Sequence, residues 1–195
     1  LYFGLLVGLL LYNLLLFLSV RDHAYLIYVI FVACIGVSQA ASSGLGAQFL
    51  WPHATWWNHN SINLAYSASG VFGVQFARSF LASRLRMPLL DRWMATLVGL
   101  WGVSILVALF LPYRVAGLTV TGLALVGVVT VVAAGAISIH RSHPGAQYFG
   151  LAWAALLMGV ITLALHNNGF LPSNAFTGNA LLIGSAFEMV LLSFA

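Results

Sequence analysis

The chain has 195 residues, 62% of them hydrophobic and only 5% charged. A soluble domain carries about 25% charged residues, so a soluble globular domain is excluded and the composition is that of a membrane protein. The formal charge of +4 comes from seven Arg, no Lys and three acids; in a chain this apolar a basic surplus reports topology, and no nucleic-acid partner is expected.

Seven apolar runs follow one another at 1–20, 25–43, 61–82, 93–111, 115–139, 147–166 and 177–195. Each approaches the ~20 residues that cross ~30 Å of hydrocarbon at ~1.5 Å per residue. The runs lack the alternation of barrel strands, which leaves helices as the way to satisfy their backbone polar groups. Runs 1–20, 93–111 and 115–139 hold no ionisable residue except Arg92 and Arg114 at their edges. The predicted fold is therefore an all-α membrane protein, a single seven-transmembrane helix bundle over 1–195 with no internal repeat, its short connections making consecutive helices antiparallel neighbours.

The connections set the orientation. Connections one, three and five carry Arg21, then Arg84, Arg86 and Arg92, then Arg141, whereas connections two, four and six carry only Arg114. Basic short loops stay on the cytoplasmic side, which predicts the N-terminus outside and the C-terminus cytoplasmic. Residues 44–60 have no Lys or Arg but hold Trp51, Trp56 and Trp57, as in an interfacial aromatic anchor; residues 83–92 form a basic loop. The last run ends at Ala195 without a polar exit. It is expected to continue into a cytoplasmic segment that this domain controls.

Polar residues inside the runs are the candidates for function, because an ionisable group at mid-bilayer costs about 2.5–3.5 kcal/mol and therefore faces protein or a wet cavity. At 100° per residue, Asn63, Ser67, Gly70, Gln75 and Arg78 share one face of roughly 140° on the third run. Glu188, midway along the seventh run, is the only acid inside a run, and Gly184, one turn before it, would admit a close neighbour. These residues, with Asn13 on the first run, predict an intramembrane polar cluster of Asn13, Gln75, Arg78 and Glu188 in which Arg78 pairs with Glu188. Arg78 also stands about a turn from its helix end, where a snorkelling Arg would sit. The simpler role for the cluster is packing register; the sharper one is a rearrangement that moves the last helix.

The histidines flank connections rather than facing each other in mid-helix, so interfacial or structural roles are expected and no haem or metal. Without a Lys no retinal Schiff base can form. There is no nucleophile–base pair, phosphate loop or metal-ligand cluster, so the segment is not expected to be an enzyme or to hold a cofactor. Cys34, the sole cysteine, reads as a packing residue. Gly4 and Gly8 form a GxxxG pattern roughly opposite Asn13; the alternatives are a homodimer face and chance in a chain with 19 Gly.

Certain stretches together resemble a known family. They are Gly4 and Gly8 followed by Tyr12 and Asn13, RDHAYLIY at 21–28, GLGAQFLWP at 44–52, FARSFL at 76–81, PLLD at 88–91, QYFGLAW at 147–153, NNGFLPSN at 167–174 and GSAFEMVLLSFA at 184–195. In this order the chain resembles the membrane domain of the bacterial seven-transmembrane receptors with diverse intracellular signalling modules, over essentially its whole length. The resemblance implies an N-terminal extracytoplasmic sensor domain of carbohydrate-binding type and a C-terminal diguanylate cyclase, histidine kinase or phosphatase, both outside this segment. It also implies the inner membrane of a bacterium and the orientation read from the Arg residues. It carries over no catalytic residue and no role for Asn13, Arg78 or Glu188.

The expected function is that of a receptor domain relaying an external signal to a cytoplasmic effector. The ligand, a small molecule or carbohydrate, would bind the sensor domain or an outer cavity near Gln39, His53 and His166. The alternatives are a transporter or proton pathway through Glu188 and Arg78, and a passive membrane anchor that dimerises its effectors.

Overall fold

A computed structural model describes residues 2–81, 83–140, 146–167, 170–172 and 174–193. Among them every regular element is helical: α1 (Tyr2–Val20), α2 (His23–Ser42), α3 (Thr55–Phe80), α4 (Ser83–Arg86), α5 (Pro88–Phe110), α6 (Tyr113–His140), α7 (Ala146–Asn167), α8 (Ala175–Gly178) and α9 (Ala180–Ser193), with a π-helical turn at Gly46–Leu50. Arg141 and His143 lie outside the described residues, as do the side chains of Arg84, Arg86 and His166.

Helix ends differ from the apolar runs where polar residues can also wind into a helix. α3 starts at Thr55 rather than at 61, carrying the aromatic stretch into its first turns; Asn58 there accepts a hydrogen bond from Trp51 Nε1 at 2.8 Å. α5 starts at Pro88 rather than at 93. Proline is pre-set for the first helical position, where its missing N–H is no loss. The last run is divided by Asn179 into α8 and α9. Asn174 caps α8 by accepting from the Phe176 and Thr177 amides, each at 2.9 Å, and Thr177 Oγ1 accepts from the Asn174 amide at 3.1 Å. This is a reciprocal capping box.

Among the described residues four helices, α1, α2, α5 and α6, are long and apolar enough to cross a membrane. Their outward residues fit that setting: Phe110 is 81% exposed and Leu118 69%. In water such faces would aggregate, and in lipid they are solvated. Chain contacts divide the described fold into two compact units, Asn13–Val131 and Leu1–Tyr12 with Val132–Ala195.

In the unit Asn13–Val131, α2 packs on α3 and α3 on α5. The turn between α1 and α2 places Arg21 at φ 58°, and Asp22 caps α2 by accepting from the Ala24 amide at 2.9 Å. After α2 the chain leaves through Gly44 at φ 77°, a backbone conformation that glycine adopts without a Cβ penalty. One face of α3 meets α2 through Phe31, lying over Gly73, and through Tyr28 and Phe76, whose rings are 4.9 Å apart. An adjoining face meets α5 where the Trp101 indole lies on Gly70. With α2 and α5 both packed against it α3 need not be apolar, and Asn63, Ser67 and Ser69 are buried on it. Asn63 Nδ2 donates to the Tyr113 carbonyl at 3.3 Å, and Trp93 Nε1 donates to Thr130 Oγ1 at 3.0 Å, tying α6 to α3 and α5.

Gly70 is a sensitive position, because a Cβ there would enter the Trp101 ring, whose indole nitrogen lies 3.7 Å from where a Cβ on Gly127 would stand. The ring is itself buried, 4% exposed, and overpacking of this kind costs about 1–3 kcal/mol. Gly70→Ala is therefore expected to lower the unfolding temperature in lipid nanodiscs. Gly99→Ala, with nothing within 4 Å of its added methyl, is expected to leave it level or raise it.

In the unit of Leu1–Tyr12 and Val132–Ala195, α7 packs along α9. α6 reaches α7 through Gly135, where an added Cβ would stand 3.4 Å from Phe149.

Candidate functional site

Two places collect the polar side chains that a membrane domain could use, one in each unit. In the unit Asn13–Val131 the site is built where α3 ends and α5 begins. Arg78, in the last turn of α3, donates through Nε and Nη2 to the two oxygens of Asp91, at 3.0 and 2.9 Å. Its Nη1 donates to Gln75 Oε1, one turn earlier, at 3.0 Å. Ser83, fully buried at the start of α4, lies 2.6 Å from Asp91 Oδ1 and 3.3 Å from the Arg78 carbonyl. A hydroxyl has one proton to donate, and the shorter contact to the carboxylate takes it.

The fork of Arg78 and the carboxylate of Asp91 thus form a bidentate pair at the mouth of the α3–α5 connection, with side-chain exposures of 21% and 12%. The first turn of α5 favours the negative charge. Arg78 accordingly takes Asp91 within its own unit, a partner that the expected pairing with Glu188 did not include. Taking residues 83–92 as a loop hid this, since Asp91 then belonged to no helix. Pro88 was the available signal: a helix that starts at a proline puts Asp91 in its first turn, facing back toward α3.

Of the predicted cluster, the structure joins Gln75 to Arg78. Asn13 is buried on α1 at 1% exposure. Gln39 is half-buried near the end of α2, and His53 is exposed on the segment leading into α3. No three His, Cys, Asp or Glu side chains among the described residues come together as metal ligands. Cys34 is half-buried and free.

In the other unit the site is built on the α7–α9 contact. Gly159 and Gly184 face each other so closely that a Cβ on Gly159 would stand 2.5 Å from the Ala180 carbonyl oxygen, and one on Gly184 would stand 2.8 Å from that of Ala155. Small residues let two backbones meet, and in a membrane this close packing is a main source of helix association. Glu188 follows Gly184 by four residues and so lies one turn along the same face of α9. It is 1% exposed, and its Oε1 has no hydrogen-bond partner among the described residues. Trp153 Nε1 on α7 and Ser138 Oγ on α6 are buried in the same unit and likewise lack one. The sequence marked Gly184 as the point of close approach; its partner Gly159 carried no signal, lying in a run of small and apolar residues.

A family model described as 7TM diverse intracellular signalling matches residues 1–195. The chain belongs to that family. Comparison with curated proteins and with solved structures gives no match. Family membership makes this a multi-pass membrane receptor domain for signalling, in line with the apolar helices. The two polar sites described above stand at helix–helix contacts, α3 with α5 and α7 with α9.

Proposed function

We propose that residues 1–195 form one seven-span domain in a bacterial inner membrane. Its N-terminus is outside and its C-terminus cytoplasmic, and it relays the binding of a small-molecule or carbohydrate ligand to a cytoplasmic effector such as a diguanylate cyclase, histidine kinase or phosphatase. The seven spans are α1, α2, α3, α5, α6, α7 and α9. α9 is the output helix. The ligand acts on an extracytoplasmic sensor domain or on an outer cavity near Gln39, His53 and His166. Relay requires two states that the ligand binds unequally. The segment itself transmits and does not catalyse.

The observation that carries this reading is Glu188. A carboxylate buried beside the close α7–α9 contact, with one oxygen unpartnered among the described residues, is costly in the membrane. Such a cost is retained where the group has a second arrangement to satisfy. To relay we assign Asn13, Gln75, Arg78 and Glu188, the sharper of the two roles expected for this cluster, with Asp91 added as the partner that holds Arg78.

The test compares Glu188→Gln with the unaltered full chain at equal membrane abundance, reading effector output against a panel of mono- and oligosaccharides. Output locked at one level, or a response reduced about tenfold, is expected. An unchanged response would leave Glu188 a packing residue. Ion flux through the purified domain in liposomes would favour a transport pathway instead. A signal-dependent response retained after exchange of the bundle for unrelated spans would reduce it to an anchor.

A further inference from the structure

Three buried polar atoms of the unit Leu1–Tyr12 with Val132–Ala195 have no hydrogen-bond partner among the described residues: Ser138 Oγ on α6, Trp153 Nε1 on α7 and Glu188 Oε1 on α9. The packing of the helices turns them toward one wedge. Gly159 lies against Ala180 and Gly184, and Gly184 against Ala155 and Leu156, so α7 and α9 run antiparallel. One turn beyond Gly184, Glu188 therefore comes level with Ala152 and Trp153. Ala152, two turns before Gly159, shares its stripe of α7; Trp153 is rotated about 100° from that stripe, and Glu188 about 40° from Gly184. Each rotation follows the winding of its own helix, and in antiparallel helices both lead to the same side of the contact. α6 lies on that side, because Phe149, one turn before Trp153 and 5.9 Å from it ring to ring, stands against Gly135. Ser138 follows Gly135 by one turn and is fully buried.

The three groups also state the chemistry of an occupant. An indole N–H only donates, a carboxyl oxygen accepts, and a serine hydroxyl does both. Lipid offers them nothing, and a polar group left without a partner there is costly. A buried water makes about three hydrogen bonds to groups of this kind, and it alone among small molecules brings two donors and two acceptors in the volume of one atom. We propose that α6, α7 and α9 bind internal water between Ser138, Trp153 and Glu188. The water accepts from Trp153 Nε1, donates to Glu188 Oε1 and completes its set at Ser138 Oγ. Such a bridge is nearly as good as a direct hydrogen bond, and it lets Glu188 keep a partner if α9 shifts against α7. The inference rests on the reading of the chain as a membrane domain and deepens that of Glu188, without requiring that Glu188 relay a signal.

The test uses the full chain in phosphatidylcholine nanodiscs, irradiated with synchrotron X-rays in water enriched in heavy oxygen. Radicals born from a bound water oxidise the side chain beside it, and mass spectrometry maps the heavy oxygen. Trp153 is expected to be labelled about tenfold faster than Tyr28, a fully buried ring of the other unit. Its labelling is expected to fall about fivefold in Glu188→Leu, which removes the acceptor, and to persist in Glu188→Gln, which keeps an acceptor oxygen. Ser138→Ala, a smaller change on a different helix, is expected to lower it about twofold and guards against a folding defect at position 188.

Labelling of Trp153 no faster than that of Tyr28 would overturn the proposal, since the wedge would then be dry. In that case a Trp153 indole N–H resonance that moves in Glu188→Gln would show a direct bond between the two side chains. Equal labelling of Trp153 in the parent, in Glu188→Leu and in Ser138→Ala would overturn it as well, because these groups would not be what holds the water. So would equal labelling of Leu151 and Phe187, exposed on the same two helices, which would mark radicals entering from the lipid face. None of these readouts uses effector output, so failure here and failure of the relay are distinguishable.

Discussion

Gly159→Val is expected to force α7 and α9 apart and to remove signalling along with stability. The first added atom would already stand 2.5 Å from the Ala180 carbonyl oxygen and 3.2 Å from Gly184 Cα. Both neighbours are backbone, so no side chain can swing aside. Separation of the helices is the only relief, and it gives up the dispersion contacts that hold them together without any hydrophobic drive in lipid. The overpacking alone costs about 1–3 kcal/mol, and more where the neighbours are rigid. Thermal unfolding in nanodiscs should show a lowered midpoint, with effector output lost at temperatures where the variant is still folded. Gly184→Val should behave in the same way, and Gly8→Val, with open space around it, should not. Equal behaviour of Gly159→Val and Gly8→Val would show that the α7–α9 contact contributes nothing.

Asp91→Ala is the second change with a large expected effect. It strips Arg78 of both carboxylate bonds and Ser83 of its 2.6 Å acceptor, leaving a guanidinium with only Gln75 at a site where water reaches it poorly. Removing one member of a buried pair costs on the order of 3 kcal/mol, mostly for the charge left behind. Removing both is much cheaper for the same reason. The double variant Arg78→Met with Asp91→Leu is therefore expected to recover most of the stability that Asp91→Ala loses. The coupling is read from the double-mutant cycle by thermal unfolding in nanodiscs. Additive losses in that cycle would mean that the pair is a surface contact. Signalling by the stable double variant then separates the two roles: retained output assigns the pair to packing, and lost output assigns it to the relay.

Much of the helical architecture was legible in the chain before any coordinates. Each of the seven apolar runs lies largely within one of the helices α1, α2, α3, α5, α6, α7 and α9 among the described residues, because lipid demands long stretches of apolar residues wherever the backbone must satisfy itself. The ends were less legible, and for a definite reason. Thr55 and Pro88 begin helices in polar sequence, where caps and proline geometry decide and hydropathy is silent. The polar face of α3 was also readable, since Asn63, Ser67, Gly70, Gln75 and Arg78 recur at helical spacing. Which helix each would meet was not.

The sequence by itself determined that this is a helical membrane protein, that the third run is its least lipid-like helix, and that Glu188 and Gly184 share one face of the last. These follow from composition and from a periodicity that every helix imposes. Tertiary structure alone decided the partners: Asp91 for Arg78, Trp101 for Gly70, Gly159 for Gly184. Each pair joins residues on different helices, and nothing in a run of apolar residues fixes the rotation or axial offset of one helix against the next. Close packing fixes both, and it does so through the shapes of glycine, tryptophan and a two-pronged salt bridge rather than through hydrophobicity, which is the same on every side of a helix in lipid.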